Sequence, residues 1–150
     1  MIPTEAQQLC TFYVGDLYFG VDVRVVQEII RYQEMTPVPL SSKCVKGLIN
    51  LRGQIVTAVD MRVRLGLPPR PEEDLPINVV LRTGDEVTSL LVDEIGDVLD
   101  LDPERFEPPP ETIDDMTRAL ARGVFKLDGR LLLLLDPERA VSVNGKPIAA

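Results

Sequence analysis

Lys46-Gly47-Leu48-Ile49-Asn50-Leu51-Arg52-Gly53-Gln54-Ile55-Val56-Thr57-Ala58-Val59-Asp60-Met61 is the stretch on which the fold turns. Two runs rich in aliphatic and β-branched residues flank Arg52-Gly53-Gln54, and glycine reverses a chain tightly at little steric cost, so the stretch predicts a β-hairpin. Asp60 ends its second strand. That carboxylate can accept the free amides of a helical turn over Met61 to Leu65, which Gly66 closes.

The unit returns 76 positions later. Gly47, Leu51, Gly53 and Asp60 recur as Gly123, Leu127, Gly129 and Asp136, and apolar positions between them match as well, Leu48 with Val124 and Val56 with Leu132 among them. Gly47, Gly53, Gly123 and Gly129 are therefore read as turn positions, with Asp60 and Asp136 as caps. The chain reads as two copies of one supersecondary unit. Asn50 and Arg52 become Lys126 and Asp128 in the second copy, so the hairpin itself does not require them. They are the first residues to consider for function.

Length and composition narrow the classes. A chain of 150 residues is one ordinary domain or two small lobes sharing a core. With 45% hydrophobic and 27% charged residues it is globular, and no apolar run approaches the ~20 residues that span a bilayer. Met1 to Glu5 carries neither the basic patch nor the apolar core of a signal peptide, which predicts a cytoplasmic protein. Cys10 and Cys44 stand 34 positions apart, form no CxxC pair and read as buried thiols. Histidine is absent, which excludes a Ser-His or Cys-His nucleophile pair, a His-ligated metal and a phospho-accepting histidine.

Net charge is −8, and Asp93 to Asp115 alone holds ten acids against Arg105, leaving the rest of the chain at +1. Such a segment repels nucleic acid and anionic membrane; it serves as a solvated loop or as a face for a basic partner.

Along the chain, Leu9–Val14 and Leu17–Asp22 predict a hairpin around Gly15-Asp16. A turn over Val23–Val26 and a strand to Tyr32 follow, and Thr36-Pro37-Val38-Pro39 is extended by its prolines. Leu67 to Pro76, with four prolines and three adjacent acids, reads as a linker. Ile77–Arg82 and Val87–Val92 then repeat the opening hairpin at an offset of 69, which also aligns Val26-Gln27-Glu28-Ile29 with Ile95-Gly96-Asp97-Val98. Pro108-Pro109-Pro110 predicts an exposed polyproline segment, and Thr112–Leu120 a short helix. A closing hairpin, Gly123–Leu127 and Arg130–Leu135, turns at Asp128-Gly129; its five consecutive leucines predict a strand buried on both faces. Asp136-Pro137 opens a last helical turn.

Short strands with Gly and Asp turns predict an all-β fold, two small barrels with single-turn helices. The expected division is residues 9–68, a linker at 67–76, and residues 77–146, with end strands open to exchange between the lobes. No reaction presents itself. Glu72-Glu73-Asp74 and Asp114-Asp115 lie in loop sequence without an apolar pocket to raise a pKa, and Asp97-x-x-Asp100-x-Asp102 lacks the glycine and closing glutamate of a calcium loop. There is no GxGxxG or Walker sequence, and Arg52, Arg62 and Arg64 make no nucleic-acid surface in so acidic a chain. Neither cofactor nor metal is expected.

Gly47-Leu48-Ile49-Asn50-Leu51-Arg52-Gly53 through Val59-Asp60-Met61-Arg62, with Phe19-Gly20-Val21-Asp22, Val26-Gln27-Glu28-Ile29 and Leu91-Val92-Asp93-x-x-x-Asp97-Val98, resembles the signature of CheW-type chemotaxis coupling proteins over residues 9 to 143. The resemblance implies two five-stranded SH3-like β-barrels without catalytic activity. It further implies binding to the CheW-like regulatory domain of the histidine kinase CheA and to the cytoplasmic tip of methyl-accepting chemoreceptors, hence recruitment to membrane receptor arrays without membrane insertion. The family's receptor contact falls on Val23, Val26, Glu28, Asn50, Arg52 and Gly53; the kinase contact is not assigned to residues. Thr57 and Ser89 stand where the family often has proline and glycine, and Ser41-Ser42 where a proline is usual. Arg52 can engage a receptor carboxylate or helix-end carbonyls, or pair internally with Glu28 or Asp60. A scaffold of a surface-motility or developmental pathway, or a small β-barrel ligand carrier or enzyme, are the other readings.

Overall fold

The computed structural model describes residues 8–39, 42–143 and 146–147; the readings that fall on Met1–Glu5 and Ser41 lie outside them. The opening hairpin is β1 (Gln8–Val14) and β2 (Leu17–Asp22), followed by a 3-10 turn at Val23–Val25 and β3 (Val26–Ile30). The central hairpin is β4 (Val45–Leu51) and β5 (Gln54–Asp60), which runs into α1 (Met61–Arg64). In the second copy come β6 (Ile77–Thr83), β7 (Glu86–Val92), β8 (Glu94–Asp100), a 3-10 turn at Pro103–Arg105 and β9 (Phe106–Glu107). Then follow α2 (Asp115–Leu120), β10 (Ala121–Leu127), β11 (Arg130–Leu135) and α3 (Pro137–Ala140), with Ser142–Val143 paired to Lys146–Pro147 at the end.

The class is all-β, as expected, but apart from the two-stranded pairing at the end the strands form one sheet of six and one of five, not two of five. Their orders are β8-β1-β2-β11-β10-β9 and β3-β6-β7-β5-β4. Neither sheet coincides with residues 9–68 or 77–146. Each takes strands from both sides of 67–76, a segment that itself has no regular structure. Under the two sequence offsets the sheets are equivalent strand for strand: β8 stands for β3, β1 for β6, β2 for β7, β11 for β5 and β10 for β4. The isolated bridge between Thr36 and Leu48 takes the place of the β9–β10 pairing. Even the irregularities repeat, with a register shift at Val45/Gly47 in β4 and at Ala121/Gly123 in β10.

Alternation along the strands divides the core in three. Leu133 and Leu135 face a cluster shared by both sheets, with Phe12, Phe19, Val59, Leu81 and Leu90, while Leu132 and Leu134 face a second one with Leu9, Tyr18 and Phe125. Ile49, Leu51, Val56 and Val80 form the third, inside the five-stranded sheet. Four of the five leucines are thus buried on alternate faces, and Leu131 stays exposed. Cys10 and Cys44 are free and buried; burial, with Asp22 nearby, pushes the Cys10 thiol up and away from reactivity.

Gly47 and Gly123 are not turn residues. They lie within strands, at the register shifts, where a side chain would meet a neighbouring segment: a Cβ on Gly47 would sit 2.8 Å from the Thr36 carbonyl oxygen, and one on Gly123 would collide with the Phe106 ring and the Glu107 carbonyl oxygen. Glycine is needed there for close approach of backbones, not for reversal. Gly53 and Gly129 do sit in turns, at φ +87° and +80°. Asp60 accepts from the Arg62 amide (3.0 Å), and Asp136 from those of Glu138 and Arg139, so both cap helical turns. Of the polyproline segment, Pro108 is exposed while Pro109 and Pro110 are half-buried and give their carbonyls to Arg118.

Candidate functional site

Pairing of Leu51 with Gln54 leaves Arg52-Gly53 as a two-residue turn, so Gln54 belongs to the strand. Both turn residues have positive φ, +50° and +87°, as a type I′ turn demands, and Arg52 is the one non-glycine residue at positive φ among those described. The Asn50 side-chain oxygen accepts from the Gly53 amide at 2.9 Å and stiffens the reversal.

From this pedestal Arg52 reaches Glu28 on β3. Nη1 donates to Oε2 at 2.7 Å and Nη2 to Oε1 at 2.8 Å, a parallel fork that selects guanidinium over ammonium. Strands β3 and β4 are at opposite ends of the sheet order, so the sheet curls until its ends come within side-chain reach. Of the two internal partners considered for Arg52, the structure has Glu28; Asp60 instead caps α1 and lies 3.5 Å from Arg70. Arg52 holds the Glu28 carboxyl below the usual carboxylate range, and Glu28 raises Arg52. Arg52 is nevertheless 77% exposed, with Glu28 at 18%. The fork uses two of five guanidinium N–H groups and leaves the outer edge open.

Val23 and Val26, the remaining residues of the expected receptor contact, are half-buried against the shared core. Glu28, Asn50, Arg52 and Gly53 are thus brought together around one turn, while the two valines lie in the 3-10 turn and at the start of β3.

A second polar node escapes sequence reasoning. Asp93, between β7 and β8, accepts from the Gly15 amide (2.7 Å), from Arg62 Nη2 (2.7 Å) and from Arg70 Nε (3.1 Å). Arg70 Nη2 lies 3.0 Å from Asp93 Oδ1, an ion pair without the alignment of a hydrogen bond. Arg62 also donates to the Pro68 carbonyl at 2.9 Å, so the 67–76 segment is pinned at Pro68 and Arg70. Burial pushes the Asp93 carboxyl up, but Arg62, the Gly15 amide and Arg70 outweigh it and hold it below the usual range. Beside the node opens a cavity of about 490 Å³ that includes Tyr13, Arg62, Arg70, Leu75 and Asp93. The available signals were a lone arginine among prolines and an aspartate directly after a buried Leu90-Leu91-Val92 run; neither indicates its partner.

Among the described residues no group of three His, Cys, Asp or Glu side chains is placed to hold a metal, and no helix is long and apolar enough to cross a membrane. Two interleaved sheets that present a rigid charged turn have the geometry of a binding scaffold. The CheW-like domain family model matches residues 8–144, and the chain belongs to that family. It is 33% identical over 136 residues to a probable chemotaxis protein CheW of Rhizobium etli (91% of this chain, 88% of that one). To chemotaxis protein CheW of Klebsiella aerogenes it is 32% identical over 139 residues, 93% and 84% of the two chains. Its fold matches the crystal structure of the scaffolding protein TtCheW from Thermoanaerobacter tengcongensis with a TM-score of 0.83, 27% identity, and 95% and 97% of the chains covered. The chain is a chemotaxis coupling adaptor.

Proposed function

We propose that this adaptor joins the cytoplasmic tip of methyl-accepting chemoreceptors to the regulatory domain of the histidine kinase CheA, so that receptor state sets kinase autophosphorylation without any covalent step on the adaptor. Each lobe is read as an SH3-like barrel, and membrane arrays recruit the protein through its partners. The receptor contact is assigned to Arg52 and Gly53 at the turn, Asn50 and Glu28 beside it, and Val23 and Val26 along the flank.

The observation that carries this reading is the conformation of Arg52. A non-glycine residue at φ +50° is disfavoured, and a turn of this type is built more cheaply from Asn-Gly. Its guanidinium stays mostly exposed although forked to Glu28, so one side chain can close the curled sheet and still offer three N–H groups to a receptor carboxylate or helix-end carbonyl. Modest interfaces of this kind become effective through multivalent arrays.

Arg52→Ala tests it. Exposed ion pairs stabilise little, so Tm should stay within about 4 °C of wild type. Receptor-tip binding should weaken about tenfold in a titration. A large fall in Tm with unchanged receptor affinity would assign Arg52 to folding alone.

A further inference from the structure

Two arginines share the Asp93 carboxylate, and they are held in different ways. Arg62 belongs to α1 and donates from both Nε and Nη2, while the Gly15 amide donates to the same carboxylate from the β1–β2 turn, so Asp93 is satisfied without a third donor. Arg70 comes instead from the irregular 67–76 segment. Leu67 packs on the shared core at one end and Pro76 is buried at the other, but between Pro68 and Pro76 every residue except Arg70 is exposed. Pro69 and Pro71 flank it and fix the backbone on both sides, and the Asp74 amide closes a turn on the Pro71 carbonyl at 2.9 Å. Arg70 is thus the single inward side chain of a stiff arm.

Its guanidinium is nine-tenths buried between two carboxylates, with Nη2 3.0 Å from Asp93 and 3.5 Å from Asp60. It is also a partition. A cavity of about 490 Å³ lies on the Asp93 side and one of about 200 Å³ on the Asp60 side, and Arg70, Asp74 and Leu75 wall both. The seat is imperfect: Nε donates to Asp93 at 3.1 Å, but Nη2 is buried without an acceptor, which weakens a contact that desolvation already opposes. Glu73 and Asp74 on the arm face the larger cavity together with Asp93 and Glu94, so like charges work against closure as well. Withdrawal would strand no anion. Asp93 keeps Arg62 and the Gly15 amide, and Asp60 keeps the Arg62 amide.

We propose that residues 67–76 are a strap in which Arg70 fills, from within the chain, a guanidinium site between Asp60 and Asp93 where the two sheets meet, and that the strap opens locally to give this site to a guanidinium from outside. Opening joins the two cavities into one cleft with a carboxylate on either wall. The occupant seen there, the Arg70 side chain itself, defines the chemistry of the ligand: a planar cation whose N–H groups reach two carboxylates at once. The site shares no residue with the Arg52 turn and does not depend on which partners the adaptor joins.

The wild-type chain carries its own control, because Arg62 Nε and Arg70 Nε each donate to Asp93 Oδ1 at 3.1 Å. In nuclear magnetic resonance of the full chain, the Arg70 Nε–H should exchange with solvent at least about tenfold faster than the Arg62 Nε–H, as local opening demands. Equal rates would mean that the strap leaves only with global unfolding, and overturn the proposal. Methylguanidinium is the probe for the site, titrated against matched sodium chloride and followed by the shift of the Gly15 amide. Arg70→Ala should bind it about tenfold more tightly than wild type, since the internal competitor is gone. No response at Gly15 beyond the sodium control in Arg70→Ala, or equal affinity in the two proteins, overturns the site. Loss of the fold in Arg70→Ala does so too, because the open strap is held to leave the rest intact.

Discussion

Single side chains decide how the two copies differ. In the second half Asn78 occupies the position of Leu9, and Ser89 that of Gly20, and all four are at or near full burial in their own sheets. A Cβ on Gly20 would come within 3.0 Å of Leu9 Cδ1, whereas Ser89 donates its hydroxyl to Asn78 Oδ1 at 2.8 Å and the Asn78 amide donates to the Arg31 carbonyl at 3.1 Å. A large-small apolar pair has been exchanged for a satisfied polar pair, which costs little because no buried group is left without a partner. The serine that stands where glycine is usual is thereby explained; Thr57 lies within β5, paired with Leu48 and Thr88, and nothing in the structure accounts for its replacing proline. Asp93 carries more. Its folded-state pKa is depressed, so its contribution is present above the unfolded value near 4 and is lost as pH falls through the lower folded value. Urea unfolding of Asp93→Asn should show about 2 kcal/mol less stability at pH 7, since the guanidinia of Arg62 and Arg70 lose their shared anion, and a shallower decline below about pH 4. Residual decline belongs to Asp22, which burial raises but Arg24 lowers further, to Glu28, lowered by Arg52, and to Asp114, lowered by the Thr117 amide. Parallel acid limbs in the two proteins would assign Asp93 no special share.

Among the elements, the long hairpins were legible because their alternation, turn residues and caps all agree. The strand of leucines was equally plain, and its alternate burial follows from a sheet with packed side chains on both faces. Strands β8 and β9 were less visible. Glu94–Asp100 carries three acids in seven residues and could be aligned with β3 only through the duplication, and Phe106–Glu107 is too short to have a period. The glycines of the bulges were misread as turns, since sequence reports that a side chain is absent but not what occupies its place. Gly47→Ala and Gly123→Ala separate the two cases. Each should destabilise by about 1–3 kcal/mol, with the larger loss at Gly123, where the Glu107 carbonyl and the Phe106 ring stand closer than the Thr36 carbonyl stands to Gly47. Thermal unfolding ranks them, and an alanine tolerated at Gly123 would show that β9 is free to withdraw.

At the scale of the molecule, the two copies are not two independent lobes. β1 and β2 complete a sheet with β8 to β11, and β6 and β7 complete one with β3 to β5, so each half of the chain lends its opening hairpin to the other. The seams are the antiparallel pairings β1–β8 and β3–β6 and the parallel pairings β2–β11 and β5–β7. Residues 1–70 and 71–150, expressed separately, should therefore each lack near-native β-signal in circular dichroism and regain it on mixing. Two halves that give dispersed amide spectra alone would refute the exchange. Interleaving also suits an adaptor: the shared core ties both sheets into one body.

Sequence alone determined the all-β class, the duplication, the hairpins with their caps, and the family, because these rest on local periodicity and on residues close together in the chain. Tertiary structure alone decided that the copies exchange hairpins, that Arg52 meets Glu28 rather than Asp60, and that Asp93 gathers Gly15, Arg62 and Arg70. Those contacts join residues 23 to 78 positions apart, and a pattern of side-chain types carries no record of which distant carboxylate a guanidinium will reach once the sheets have curled.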